Sequence, residues 1–311
     1  MPAVGGFVFD SAGAPVDREL RIYRRDTGAL LGNARSSGGG GDLDFGKVAL
    51  LLHGDGANGS TTFTDSSAVP KTVAALGGAV VSTAQSKWGG ASISSENTAG
   101  ARVQINSHAD FNMGAGDFTV ECWAYVVARN ASNFESFVAH RITTGYYGFW
   151  LCIDQATGYP EFSMCNTSLS IFRATSTTTF PLGQWVHLAG VRNGSQITLF
   201  VNGVQAAITA VSGTNYGSTE PVLLFGASDG DARFKLNGYV DDLRITKGVA
   251  RYTSNFTPPS TPFPDMSGAD RTLAFGEYYF ATTHTGEVQV VCMDDASGPL
   301  ENDLILRTFP V

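Results

Sequence analysis

From Val48 onward, apolar and polar residues alternate with a period of two in one short run after another. VALLLHGDG is an apolar run that ends in a turn, and WGGASISS and ARVQIN alternate. DFTVECWAYV sets Phe118, Val120 and Cys122 on one face and Thr119, Glu121 and Trp123 on the other. GFWLCID, EFSMCN, WVHLAGVRNG, QITLFVNGVQ, VLLFGAS and GYVDDLRI follow in the same manner. Successive side chains of a strand point to opposite faces, so this pattern predicts strands, and the 3.6-residue period of a helix is almost absent. Asn193-Gly194 and Asn202-Gly203 are placed as hairpin reversals, because the dipeptide tolerates the positive φ of a type I′ turn. At least ten strands in this region predict an all-β, two-sheet antiparallel jelly roll.

Both ends of the chain show the same periodicity in shorter pieces. Strands are predicted over 5–10, 18–26 and 29–36, and again over 276–282, 286–295 and 302–310. The run SSGGGGD (36–42) interrupts the first set, and TPPSTPFPDMSGAD (257–270), with prolines that keep the chain extended, precedes the second. Segments of ~40 residues rarely fold unaided, which favours one small β-sandwich assembled from both ends. The expected organisation is therefore residues 1–41 as the first half of that sandwich, 47–266 as a jelly roll inserted into it, and 271–311 as the second half.

Composition narrows the function. Of 311 residues, 43% are hydrophobic and 15% charged, which supports a real core. The net charge is −8 with no extended Lys/Arg cluster, so nucleic acid and anionic membrane surfaces are poor partners. No stretch reaches the length of a membrane span, so membrane insertion is not expected, and MPAVGGFVFD lacks the basic and apolar regions of a secretory signal. The reading is assembly in the cytoplasm, or export by a route the sequence does not show. Cys122, Cys152, Cys165 and Cys292 form no C-x-x-C pair and read as buried free thiols.

Catalytic patterns are missing. Glycosidases of two-sheet jelly rolls carry carboxylates in an E-x-D-x-E run, whereas Glu121, Glu135 and Glu161 stand isolated. There is no G-x-S-x-G elbow, and the histidines are scattered, with His187 in WVHLAG read as a hydrogen-bonded structural residue. The protein is therefore expected not to be an enzyme. GYYGFW gathers Tyr146, Tyr147 and Trp150, which with Tyr216 from a later loop are candidate glycan-stacking residues. The competing reading is that alternate members of this run fill the core and the rest cover a sheet edge. In GYVDDLRI, period two puts Asp241 on the face of Leu243 and Ile245 and turns Asp242 outward. A buried acid needs N–H donors or a cation.

Three spellings carry a family resemblance: DFTVECWAYV, GQWVHLAGVRNGSQITLFVNGVQ and GYVDDLRITKGVARYTSNFTPP. Together they resemble the laminin-G-like, concanavalin-A-like lectin/glucanase superfamily over roughly residues 48–264, in versions similar to those of tailed-bacteriophage structural proteins. The ends, GFVFDSAGAPVDRELRIYRRDTGALLG with GEYYFAT and GEVQVVCMDD, resemble the carboxypeptidase-regulatory-like β-sandwich. The first resemblance implies a Ca²⁺ site in many members. Asp55 and Asp241, with backbone carbonyls of residues 56–61, are the candidate ligands, against the alternative that Asp241 ties down the Asp55 turn through backbone N–H groups. It further implies a non-enzymatic virion structural protein of tail or capsid surface, with other virion proteins and a host-surface glycan as partners; separately, exposed strand edges of the small sandwich are compatible with a homo-oligomer. The alternative is a carbohydrate-binding or adhesion module of a bacterial surface protein.

Overall fold

The structure, a computed structural model, describes residues 18–24, 30–35, 42, 44–130, 134–143, 146–215, 217, 220–226, 236–265, 273–275, 278–280 and 304–310. The chain divides into two compact units, residues 1–46 with 264–311 and residues 47–263. In the first unit, β1 (Arg18–Arg24) lies between β2 (Leu30–Arg35) and β20 (Leu304–Pro310), antiparallel to both. β18 (Leu273–Phe275) pairs with β19 (Tyr278–Phe280). The strands expected over 5–10 and 286–295, the run 36–41 and Cys292 lie outside the described residues.

The second unit is the larger lobe. Its strands are β3 (Val48–Leu52), β4 (Val73–Leu76), β5 (Val80–Ser82), β6 (Ser92–Ser94), β7 (Arg102–Ile105), β8 (Phe118–Val126), β9 (Glu135–Thr143) and β10 (Tyr146–Ile153). They continue with β11 (Pro160–Cys165), β12 (Ile171–Thr175), β13 (Trp185–Asn193), β14 (Gln196–Val201), β15 (Val204–Ala210), β16 (Val222–Leu224) and β17 (Gly238–Lys247). One sheet has the order β12-β11-β10-β9-β16-β7-β4; the other has the order β15-β14-β13-β8-β17-β6-β5, with β3 paired to β17. The lobe is thus the two-sheet antiparallel β-sandwich that the alternation predicts.

The core lies between the sheets. Phe118, Val120, Cys122, Ala124 and Val126 of β8 and Val186 and Leu188 of β13 face Phe149, Leu151 and Ile153 of β10 and Phe162 and Met164 of β11. The sheets approach closely at Gly190, where an added Cβ would fall 2.2 Å from the Phe162 ring. The β14–β15 hairpin has positive φ at both Asn202 (50°) and Gly203 (76°), as a type I′ turn requires. The β13–β14 reversal sits one residue later than expected. Asn193 pairs with Gln196, which leaves Gly194 and Ser195 as the loop.

β17 organises the other edge of this sheet. Along one side it pairs with β8, and along the other it changes partner, from β6 at Tyr239 and Val240 to β3 at Leu243 to Thr246. Between these halves the register with β8 shifts, so that Asp241 pairs with Trp123 and Arg244 with Glu121. One extra residue is accommodated, and Asp242 takes φ 49°, the mark of a β-bulge. The bulge corrects the period-two expectation. Asp241 shares the outer face with Trp123, while Leu243 and Ile245 return to the core. Asp242 is not turned to solvent either; both acids are fully buried.

Candidate functional site

The bulge explains why two carboxylates stand side by side. Where β17 changes neighbours, the ladder is interrupted and nearby backbone N–H groups need other acceptors. Asp241 Oδ2 accepts the N–H of Lys87 (2.8 Å) and of Trp88 (3.1 Å). Asp242 Oδ2 accepts the N–H of Phe263 (2.7 Å), and its Oδ1 lies 2.7 Å from His53 Nδ1. The two acids thereby hold the loop 85–90 and the segment leaving the lobe. Asp55 braces the same loop from the other side: a Cβ at Gly89 would fall 1.8 Å from its Oδ1. Asp65 plays a parallel role, accepting the N–H groups of Leu51, Ser67 and Lys71.

Asp241 Oδ1 is buried with no hydrogen-bond partner among the described residues. Burial raises its carboxyl to about 7, and the charges of Asp242 and Asp55 push the same way, against the lowering effect of the Trp88 and Lys87 N–H bonds. Ca²⁺ takes six to eight oxygens. Here Asp242 commits both oxygens to other partners, Asp241 commits one to two N–H groups, and among the described residues no three His, Cys, Asp or Glu side chains converge as a metal site. The arrangement does not fit a calcium ion. It fits backbone closure, although the turn that Asp241 ties down is 87–88 rather than the Asp55 turn.

A second buried acid organises the middle of the same outer face. Glu121 accepts from Arg244 Nε (2.9 Å) and from the Tyr252 hydroxyl (2.7 Å), with Arg244 Nη2 at 2.8 Å. Burial works against its charge, but Arg244, His187 and Arg251 outweigh burial and hold the carboxyl down at about 2. His187 Nε2 is 3.4 Å from Glu121 Oε2. Its ring makes no geometrically sound hydrogen bond among the described residues and packs instead against Trp123, Tyr252, Phe256 and Phe263, which corrects the expectation of a hydrogen-bonded histidine. Tyr252 and Phe256 stack at 3.6 Å, and with Ala250 they cover Ala189, Val191 and Phe200.

Beyond the segment 249–263 and the loop 85–90, the same face carries a partly exposed aromatic row. Trp185 of β13 pairs with Tyr125 of β8, which pairs with Tyr239 of β17. Paired residues of neighbouring strands project to one face, and here it is the face away from the core. The ring centroids are 5.6 Å and 6.0 Å apart, and all three side chains remain partly exposed. Beside them Trp88 meets Trp123 edge-on at 6.3 Å, with Lys87 Nζ 3.9 Å from the centre of the Trp123 ring. The indole N–H groups of Trp88 and Trp123 have no partner among the described residues.

The residues singled out in GYYGFW do not form such a row. Trp150 is buried, 6% exposed, and its Nε1 donates to Ser136 Oγ beside Ala139, Cys152 and Phe134. So enclosed a ring offers no face to a sugar, and its neighbour Phe149 fills the core. Tyr146 and Tyr147 belong to β10, but their side chains, like Tyr216 and the loop 228–233, lie outside the described residues. Reading along the chain missed Tyr125, Trp185, Tyr239 and Trp88 because they come from separate segments. The available signal was that Tyr125 shares the outward parity of Trp123.

Comparison with known proteins places the lobe. Residues 97–251 match the family described as the concanavalin A-like lectin/glucanases superfamily. No curated protein sequence matches the chain. The solved binding domain of Paraclostridial mosquitocidal protein 1 is similar with a TM-score of 0.51 at 14% identity, over 66% of this chain and 50% of that one. The botulinum neurotoxin serotype D binding domain gives a TM-score of 0.50 at 12% identity, over 66% and 49%. The serotype G binding domain gives 0.50 at 10% identity, over 65% and 48%. The match spans about half the length of these structures, and at such identities the likeness is one of fold. The lobe is a laminin G-like jelly roll of the concanavalin A-like lectin/glucanase type.

Proposed function

We propose that this concanavalin A-like lobe is a non-enzymatic binding module that recognises carbohydrate at a cell surface. One observation carries the non-enzymatic part. The buried carboxylates of the outer face, Glu121, Asp241 and Asp242, are engaged by cations, a hydroxyl, a histidine and backbone N–H groups of the lobe itself. A glycosidase needs two carboxylates facing a sugar across a cleft, one of them ready to move a proton. Carbohydrate as the ligand class is supported by analogy of fold with the lectin family, and a binding role by the similar structures, which are named as binding domains.

A second part of the proposal concerns display. β1, which precedes the lobe, pairs with β20, which follows it. That pairing supports reading the lobe as an insertion carried by a small sandwich, and a body of this kind suits a virion tail or capsid surface where it docks on other virion proteins. Incubation of the full chain with a panel of polysaccharides tests the functional reading. Retention on at least one polysaccharide without release of reducing ends is expected; release of reducing ends would overturn it.

A further inference from the structure

We propose that Trp185, Tyr125 and Tyr239, flanked by Trp88 and Lys87, form the ligand face of the lobe and take an extended chain of neutral sugar rings. This rests on the reading of the lobe as a carbohydrate-binding module and names its site and ligand class.

Three aromatic residues occupy paired positions on three adjacent strands, so the fold itself aligns them across the sheet. Two inter-strand steps span about 10 Å, on the order of a disaccharide. The rest of this outer face is closed by the lobe's own segments: Tyr252 and Phe256 over Phe200, Phe263 beside His187, and the 87–88 backbone on Asp241. The three rings of the row stay partly exposed on this face.

Its chemistry selects the occupant. Aromatic rings present a polarisable surface to the C–H faces of sugars, and tyrosine adds a hydroxyl at the rim. Charge argues for a neutral chain. Lys87 is engaged over the Trp123 and Trp88 rings, and Glu96 stands close enough to Tyr239 to act on its hydroxyl. With a net charge of −8 on the whole chain, an acidic glycan finds no compensating cation cluster in this corner.

The test is affinity electrophoresis of the full chain in gels containing neutral polysaccharides (β-glucan, mannan, arabinan) or acidic ones (alginate, polygalacturonate). The proposal expects retardation by at least one neutral polysaccharide and none by the acidic ones. It expects Trp185→Ala and Tyr239→Ala to weaken that retardation about tenfold or more, the equivalent of about 1.4 kcal/mol each. Leu169→Ala, which removes an exposed apolar side chain elsewhere, is expected to change nothing. Should the alanine variants unfold, Trp185→Leu and Tyr239→Leu keep the bulk without the aromatic face and are expected to lose binding in the same way. Undiminished binding by folded row variants would overturn the site while leaving the carbohydrate-binding reading standing. Retardation by acidic polysaccharides alone would overturn the ligand class, and no retardation at all would overturn both readings.

Discussion

Asp241 stands directly across the ladder from Trp123, on the outer face of the eight-stranded sheet and at the edge of a one-residue bulge. Its buried carboxylate serves the backbone of Lys87 and Trp88, and thereby sets the loop that flanks the aromatic row. Structural polarity and the candidate ligand face are thus neighbours on one surface, and the predictions below separate them.

The charge on Asp241 is costly. Its carboxyl is raised from the ordinary 3.8 to about 7, chiefly by burial. A raised carboxyl contributes stability that is fully present below its unfolded value and is lost as pH rises through the folded one. Asp241→Asn keeps an oxygen for the two N–H groups and places an amide toward Asp55 and Asp242. It is expected to stabilise the protein by roughly 1–3 kcal/mol at pH 8 and to have little effect at pH 4. Thermal melts at the two pH values check this; equal effects at both would contradict it.

Glu121 behaves in the opposite sense. Its carboxyl is held at about 2 against an ordinary 4.5, so its contribution is present above pH 4.5 and is lost as pH falls toward 2. Glu121→Gln leaves the buried guanidinium of Arg244 short of its counter-charge. The expected cost is about 3–5 kcal/mol, read by chemical denaturation at pH 7, and most of it should vanish near pH 2.5.

At Gly190 the two sheets leave no room for a Cβ, and Phe162 is fully buried opposite it. Gly190→Ala is expected to destabilise by about 1–3 kcal/mol through overpacking. The companion change Phe162→Leu should recover part of that loss in a double-mutant cycle, because the two residues share one contact.

Chelation is a further check. Asp242 commits both oxygens and Asp241 one, and among the described residues no three His, Cys, Asp or Glu side chains gather around the remaining Asp241 Oδ1. EDTA followed by excess Ca²⁺ is expected to leave the melting temperature unchanged. A rise on adding Ca²⁺ that Asp241→Ala abolishes would contradict this account.

Much of the fold is legible in residue alternation. DFTVECWAYV reads correctly as β8, and Asn202-Gly203 marks the β14–β15 reversal, because both signals are local. The strands β4 and β5, which lie in different sheets, escape such a reading: VAAL and VVS are short, built largely from small residues, and separated by Gly77 and Gly78. The orientation of Asp241 escapes it for a different reason. Period two holds only while the partner strand holds, and β17 changes partner from β6 to β3 at that point. The aromatic row is a property of register between strands distant in sequence, so no single stretch announces it. GYYGFW, whose aromatics crowd into one short run, instead has its adjacent members Phe149 and Trp150 buried on opposite faces of β10.

The central claim is that the lobe binds carbohydrate and does not transform it. A glycan microarray probed with labelled full-length protein tests that most directly. The account predicts discrete binding to neutral oligosaccharides, stronger for longer chains, with the bound sugars recovered intact. An array without any bound glycan, or one whose glycans are shortened after incubation, would contradict it.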